Sequence, residues 1–213
     1  MILVRRYNMS TSEGHGPSVR TGQAMKTKFC LVRHGSTDWN IEGRIQGCTD
    51  TTLNQQGRRE VSELAQSLKR QDWEFIITSE LQRAKETGEI ISDMLQIPLF
   101  SYKGLREREF GPLEGLTLHE IKERYPGWGD GDLFLPELES RQELKTRALK
   151  VMGLLANLFP ARQLIIVSHG GFLRAFFRAG LGLERAAPAN AEKVEVVWDG
   201  AWKVLHGGEK NDL

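Results

Sequence analysis

The chain has 213 residues, a length that suits one domain with a sizeable core. Charged residues make up 27%, and 29 Lys and Arg nearly cancel 28 Asp and Glu, so no global basic field draws in nucleic acid or an anionic membrane. No apolar run approaches the roughly 18 residues of a membrane helix, and Met1-Ile2-Leu3-Val4 is too short for the core of a secretion signal.

Residues 1–25 carry Ser, Thr, Gly and Arg with no apolar period after Val4, and are expected to form a flexible extension. Met1, Met9 and Met25 all remain open as the translation start. From Thr27 the pattern is that of an alternating α/β protein. Phe29-Cys30-Leu31-Val32 reads as a buried strand, with Cys30 as a small core residue. Residues 54–69 read as a helix capped by Asn54, with Val61, Leu64, Ala65 and Leu68 on one face. Phe75-Ile76-Ile77 is a second strand. A second helix covers 81–95, with Ala84, Thr87, Ile91, Met94 and Leu95 in step and Pro98 just beyond. Residues 104–137 are irregular apart from one short helix at 117–124. A long helix over 139–159 turns Leu144, Ala148, Met152 and Leu155 inward. Leu164-Ile165-Ile166-Val167 is the clearest buried strand, followed by a helix from Gly171 to Ala179. Lys193–Trp198 and Ala201–Leu205 read as a β-hairpin turning at Asp199-Gly200.

Three of these strands run into chemically unusual residues. The first ends in Arg33-His34-Gly35. The second leads through Thr78-Ser79 to a helix bearing Arg83 in its first turn, and the late strand ends in Ser168-His169-Gly170-Gly171. Open α/β sheets bind ligands at the carboxyl ends of their strands. If the three are parallel and adjacent, two His and two Arg converge on one crest. The following helix N-termini are expected to add backbone N–H donors there. Such a pocket suits an anion, and phosphate is the natural guest.

Leu31-Val32-Arg33-His34-Gly35, with Thr37, Trp39 and Asn40, resembles the signature of the histidine phosphatase superfamily, the phosphoglycerate-mutase-like proteins. Further blocks follow in family order: Arg44-Ile45-Gln46-Gly47 with Asp50 and Leu53–Gly57, Ser79–Ala84 with Thr87, and Leu105-Arg106-Glu107 with Phe110-Gly111 and Glu114-Gly115. Glu139-Ser140 with Arg147, and Val167–Gly171 with Arg174, complete the set. The resemblance implies a three-layer α/β/α sandwich around a mostly parallel sheet. It makes 26–207 the histidine phosphatase domain, 109–140 a variable substrate-cap insertion and 208–213 a C-terminal tail.

It also implies roles. His34 would attack phosphorus and become a phosphohistidine; imidazole is neutral near pH 7 and needs no deprotonation to attack. Its second ring nitrogen should donate to a backbone carbonyl. Arg33, Arg83 and His169 would hold the phosphoryl oxygens, and Asn40 would add a neutral donor. Glu107 would protonate the leaving alkoxide and then activate water. Thr37, Gln46, Gly47 and Gly170 would contribute to substrate binding. No metal and no cofactor are implied, since the two Arg supply the charge a metal would bring. The expected partner is a small phosphorylated metabolite, and the oligomeric state is left open, a homodimer included. Cys48 lies in a polar loop with nothing beside it to activate a thiol, and a reducing cytoplasm is the expected compartment.

Within the family, mutases carry a long basic insertion between the acid and the second His. Here about 60 residues separate Glu107 from His169, and they hold an acidic segment and no adjacent Arg pair. A phosphatase is therefore expected over a phosphoglycerate mutase. A non-catalytic binder on the same fold is disfavoured, because both His, both Arg and the acid are present. Ser36, Leu113 and Leu138 depart from common family residues, the last two near the cap. His15, His119 and His206 read as surface residues, Glu114 as open to a structural role at the site, and Asp130–Glu139 as a solvated loop rather than a metal site.

Overall fold

The computed structural model describes residues 26–128, 135 and 137–206. The expected N-terminal extension, residues 129–134 and 136 of the cap, and the C-terminal tail lie outside the described residues.

Among the described residues, six strands form one sheet in the order β3-β2-β4-β1-β5-β6. They are β1 (Thr27–Arg33), β2 (Phe75–Thr78), β3 (Leu99–Ser101), β4 (Gln163–Ser168), β5 (Lys193–Trp198) and β6 (Trp202–His206). β1, β2, β3 and β4 pair in parallel, while β5 and β6 add an antiparallel edge. The helices are α1 (Asp38–Ile41), α2 (Gln55–Leu68), α3 (Gln82–Leu95), α4 (Leu118–Arg124), α5 (Arg141–Leu158) and α6 (Gly170–Gly180).

The period of two along each strand sorts side chains into two cores. Phe29 and Leu31 of β1, with Leu164 and Ile166 of β4, face α5 and α6. Cys30 and Val32, with Ile165 and Val167, face α2 and α3. Each fully buried Leu, Ile or Phe contributes roughly 1.5–3 kcal/mol, so both faces must be covered, and three layers result. The inward faces expected for α2 and α5 are buried as read, while Met94 and Leu95 of α3 are only partly covered.

One strand and one α-helix went unread in the sequence. β3 is a three-residue edge strand after Pro98, half-exposed, with no apolar alternation to announce it. α1 is a single turn, closed by a reciprocal capping box between Thr37 and Asn40. The expected short helix exists as α4, with its own capping box between Thr117 and Glu120.

Candidate active site

β2, β4 and β1 are adjacent and parallel, so their carboxyl ends meet on one crest. The condition for convergence of His34, Arg83 and His169 is thereby met. His34 leaves β1 with its backbone N–H on Ser168 O at 3.0 Å, and Ser79 N bonds Val167 O at 3.0 Å. The His34 and His169 ring centroids stand 5.1 Å apart, tilted by 55°.

His34 is buried, and its Nδ1 lies 2.8 Å from Gly35 O. A carbonyl accepts only, so Nδ1 carries the proton and the lone pair resides on Nε2. Burial pushes the imidazole well below its ordinary pKa, and the Arg83 and Arg33 charges push the same way, against the Gly35 hydrogen bond. His169 is lowered too, by burial first and then by Arg83, His34 and Arg33. Both rings are neutral at physiological pH.

Arg83 is fully buried in the first turn of α3. Its Nη2 donates to Gly47 O at 2.7 Å and its Nη1 to Thr49 O at 2.8 Å. Arg33 Nη1 donates to Pro188 O at 2.8 Å. Among the described residues, Arg33 Nε, Arg83 Nε and both ring nitrogens of His169 are buried with no protein partner. A buried donor left unpaired costs about 1–3 kcal/mol, more when charged. Two cations and a neutral histidine, each with an unpaired nitrogen and set beside the His34 ring, make an arrangement suited to an oxyanion. Gly170 belongs to this arrangement, because a Cβ there would stand 3.3 Å from Arg33 Cζ.

Glu107 sits against the first turn of α6. Its Oε2 accepts from Gly171 N at 2.9 Å, and its Oε1 from Phe172 N at 3.1 Å and Arg108 N at 2.8 Å. A Cβ on Gly171 would collide with the carboxylate. His169 is the N-cap of the same helix, so Glu107 and His169 share one helix end. This narrows the expectation that the helix N-termini offer their N–H groups to phosphate, since three of those groups hold carboxylates of the chain itself. At α6 these donors hold Glu107, and at α3 Gln82 N donates to Asp50 Oδ1 at 2.6 Å. Carboxylates of the chain itself thus share the positive helix ends.

A family model for the histidine phosphatase superfamily (branch 1) matches residues 29–205. The chain belongs to this superfamily. It is 35% identical over 181 residues to the uncharacterized phosphatase PhoE of Bacillus subtilis, covering 81% of this chain and 91% of that protein. It is 37% identical over 169 residues to the probable phosphoglycerate mutase GpmB of Cronobacter sakazakii, covering 76% of this chain and 77% of that one. The structure of a mycobacterial glucosyl-3-phosphoglycerate phosphatase complexed with VO3 superimposes with a TM-score of 0.74 at 26% identity, covering 83% of this chain and 96% of that one.

Other residues expected at this histidine phosphatase site are placed as follows. Thr37 is a buried N-cap whose hydroxyl donates to Asn40 Oδ1 at 3.0 Å. Asn40 Oδ1 also accepts from Asn190 Nδ2 at 3.2 Å, which leaves the Asn40 amide NH2 as its donor end. Gln46 Oε1 accepts from Thr51 Oγ1 at 2.6 Å, and Gly47 serves through its carbonyl. Ser36 bonds Glu60 through both N and Oγ. His119 is exposed on α4 beside Glu123, as read. His15, and the side chain of His206, lie outside the described residues.

The segment before β5 makes contacts at the site that no motif in the sequence marks. Asn190 Nδ2 donates to His34 O at 3.0 Å, and Ala191 N bonds Arg33 O at 3.1 Å. This segment props the back of the His34 turn from 156 residues away in the chain. It has no helical or strand period, so no local signal marked it. Among the described residues, no group of three or more His, Cys, Asp or Glu is arranged to hold a metal ion, and no helix is long and apolar enough to cross a membrane.

Proposed function

We propose that the chain is a cytoplasmic phosphomonoesterase that hydrolyses a small phosphorylated metabolite through a phosphohistidine on His34. The single observation that carries this reading is the Nδ1–Gly35 hydrogen bond, which leaves His34 Nε2 as a neutral nucleophile beside the unpaired donors of Arg33, Arg83 and His169.

In the first step Nε2 attacks phosphorus. The P–N bond forms and the P–O bond to the substrate's alcohol breaks. Arg33, Arg83 and His169 stabilise charge on the three equatorial oxygens, with the Asn40 amide as a further donor. Glu107, entering protonated, gives its proton to the departing alkoxide. In the second step water attacks the phosphohistidine and the Glu107 carboxylate takes a water proton. Free phosphate leaves, and His34 and Glu107 return to their starting states. The charge needed comes from the two guanidinium groups, so no metal and no cofactor enter the scheme.

Hydrolysis is favoured over phosphoryl transfer by the short stretch from Glu107 to His169 and by the likeness to the phosphatase PhoE. The likeness to GpmB makes phosphoglycerate mutase activity the alternative. A screen over phosphomonoesters, phosphoglycerates included, with free phosphate and isomer products both measured, separates the two. The expected result is stoichiometric phosphate release, together with an acid-labile phosphoenzyme that is lost with activity in His34→Ala. Isomerisation without net phosphate release would reverse the choice, and an active His34→Ala would end the mechanism.

A further inference from the structure

The segment from Gly104 to Glu107 pairs with no strand, yet its carbonyls are all satisfied by side chains. Leu105 O accepts from Ser168 Oγ at 2.7 Å. The other three belong to one residue. Arg147, on α5, donates through Nη1 to Gly104 O at 3.0 Å and Arg106 O at 2.8 Å, and through Nη2 to Glu107 O at 3.1 Å. Its other edge meets Glu139: Nε to Oε1 at 2.8 Å and Nη2 to Oε2 at 2.7 Å. A guanidinium has five N–H donors, and all five are used. Its Cζ lies 5.6 Å over the ring of Phe172, the residue whose N–H holds the Glu107 carboxylate.

Glu139 is itself tied to the acid's loop. Its N–H bonds Glu109 O at 2.9 Å, and its carbonyl accepts from Arg108 Nε at 2.6 Å. The pair thus grips the main chain on both sides of Glu107. A flexible surface loop would not require such a fixture. A carboxylic acid that must meet a leaving oxygen within hydrogen-bond reach does, because small misplacements cost large factors in rate.

We propose that Arg147, oriented by Glu139, is a positioning residue that sets Glu107 for proton transfer to the leaving group. The proposal rests on the reading of Glu107 as the acid. Lysine cannot replace the arginine here, since an ammonium has three donors and no planar fork.

The test is the dependence of kcat/KM on leaving-group pKa in Arg147→Lys, with Glu139→Gln as an isosteric second variant and Glu107→Gln as the reference for loss of the acid. The substrates are 2,4-dinitrophenyl phosphate, whose leaving group needs no proton, and glycerol 2-phosphate, whose leaving group does. Both Arg147→Lys and Glu139→Gln are expected to lose about 10- to 100-fold on glycerol 2-phosphate while staying within about threefold of the parent on 2,4-dinitrophenyl phosphate. Equal losses on both substrates would mean a merely structural role and overturn the proposal, as would no loss on either. If Arg147→Lys fails to fold, Glu139→Gln alone decides by the same criterion. A leaving-group dependence unchanged in Glu107→Gln would overturn the acid itself. A changed one there, with none in Arg147→Lys and Glu139→Gln, would overturn only the positioning role.

Discussion

Glu114 and Arg83 hold opposite edges of one three-residue segment, Gly47 to Thr49. The Glu114 carboxylate takes its N–H groups, from Cys48 at 2.9 Å and Thr49 at 2.8 Å, and the Arg83 guanidinium takes its C=O groups at Gly47 and Thr49. Gly47 adopts φ +53°, and a Cβ there would collide with Glu114. An anion and a cation thus act on each other through the dipoles of the peptides between them.

Glu114→Gln puts an amide donor among four donors: the N–H groups of Cys48, Thr49 and Phe110, and the Thr49 hydroxyl. The segment should loosen and Arg83 with it. Inhibition constants for phosphate and vanadate should rise about tenfold, the scale of one charge-assisted hydrogen bond. In the proposed mechanism Arg83 holds the phosphoryl group, so good and poor leaving groups should suffer alike, opposite to the signature expected at Arg147. Unchanged phosphate inhibition in the variant would refute the link.

The acid limb of the pH–rate profile should lie well below the ordinary imidazole range. Burial, then Arg83 and Arg33, lower the His34 pKa, so the neutral nucleophile persists as pH falls. Corrected for substrate ionisation, kcat/KM should not drop between about pH 7 and pH 6, where a free imidazole begins to protonate. The same shift has a stability cost. Below about pH 6.5 the unfolded chain binds protons at His34 and His169 that the native state refuses, so stability is full above that pH and declines beneath it. A kcat/KM that titrates near 6.5 would contradict the burial of His34.

At the far end of β1 a different charge cluster governs acid stability. Burial works to raise the Glu195 pKa, but hydrogen bonds from Lys28, Gln71 and Lys193 outweigh it and hold the carboxyl at about 2. The contacts are Lys28 Nζ at 2.9 Å, Lys193 Nζ at 3.0 Å and Gln71 Nε2 at 2.9 Å. Since the native pKa is depressed, this contribution is present above about pH 4.5 and is lost as pH falls toward 2. Glu195→Gln should cost about 1–3 kcal/mol in denaturant unfolding at neutral pH, and the gap to the parent should close in acid. A constant gap down to about pH 3 would show that packing, not charge, is responsible.

EDTA should leave activity intact, and vanadate should inhibit competitively with substrate. The positive charge at the site is carried by Arg33 and Arg83, which no chelator removes. Restoration of an EDTA-treated enzyme by a divalent cation would displace the two arginines from that role.

The alternating strands and helices, and the strand-end placement of His34, Arg83 and His169, were legible because each rests on local pattern, whereas the adjacency of β1, β4 and β2 that joins them was a tertiary fact. Continuous apolar runs such as Phe29–Val32 and Leu164–Val167 announce buried strands, and a chemically active residue directly after such a run is placed by the strand itself. Glu107 was legible only as part of a family motif, since no regular element surrounds it. The tertiary structure alone also decided how the irregular segments are held. Arg147 reaches Glu107 O across 40 residues, Glu114 reaches the Gly47–Thr49 segment across 65 and more, and Asn190 reaches His34 across 156. Such contacts leave no periodicity in the chain, because a side chain that satisfies a distant carbonyl is constrained by geometry in space and not by spacing in sequence.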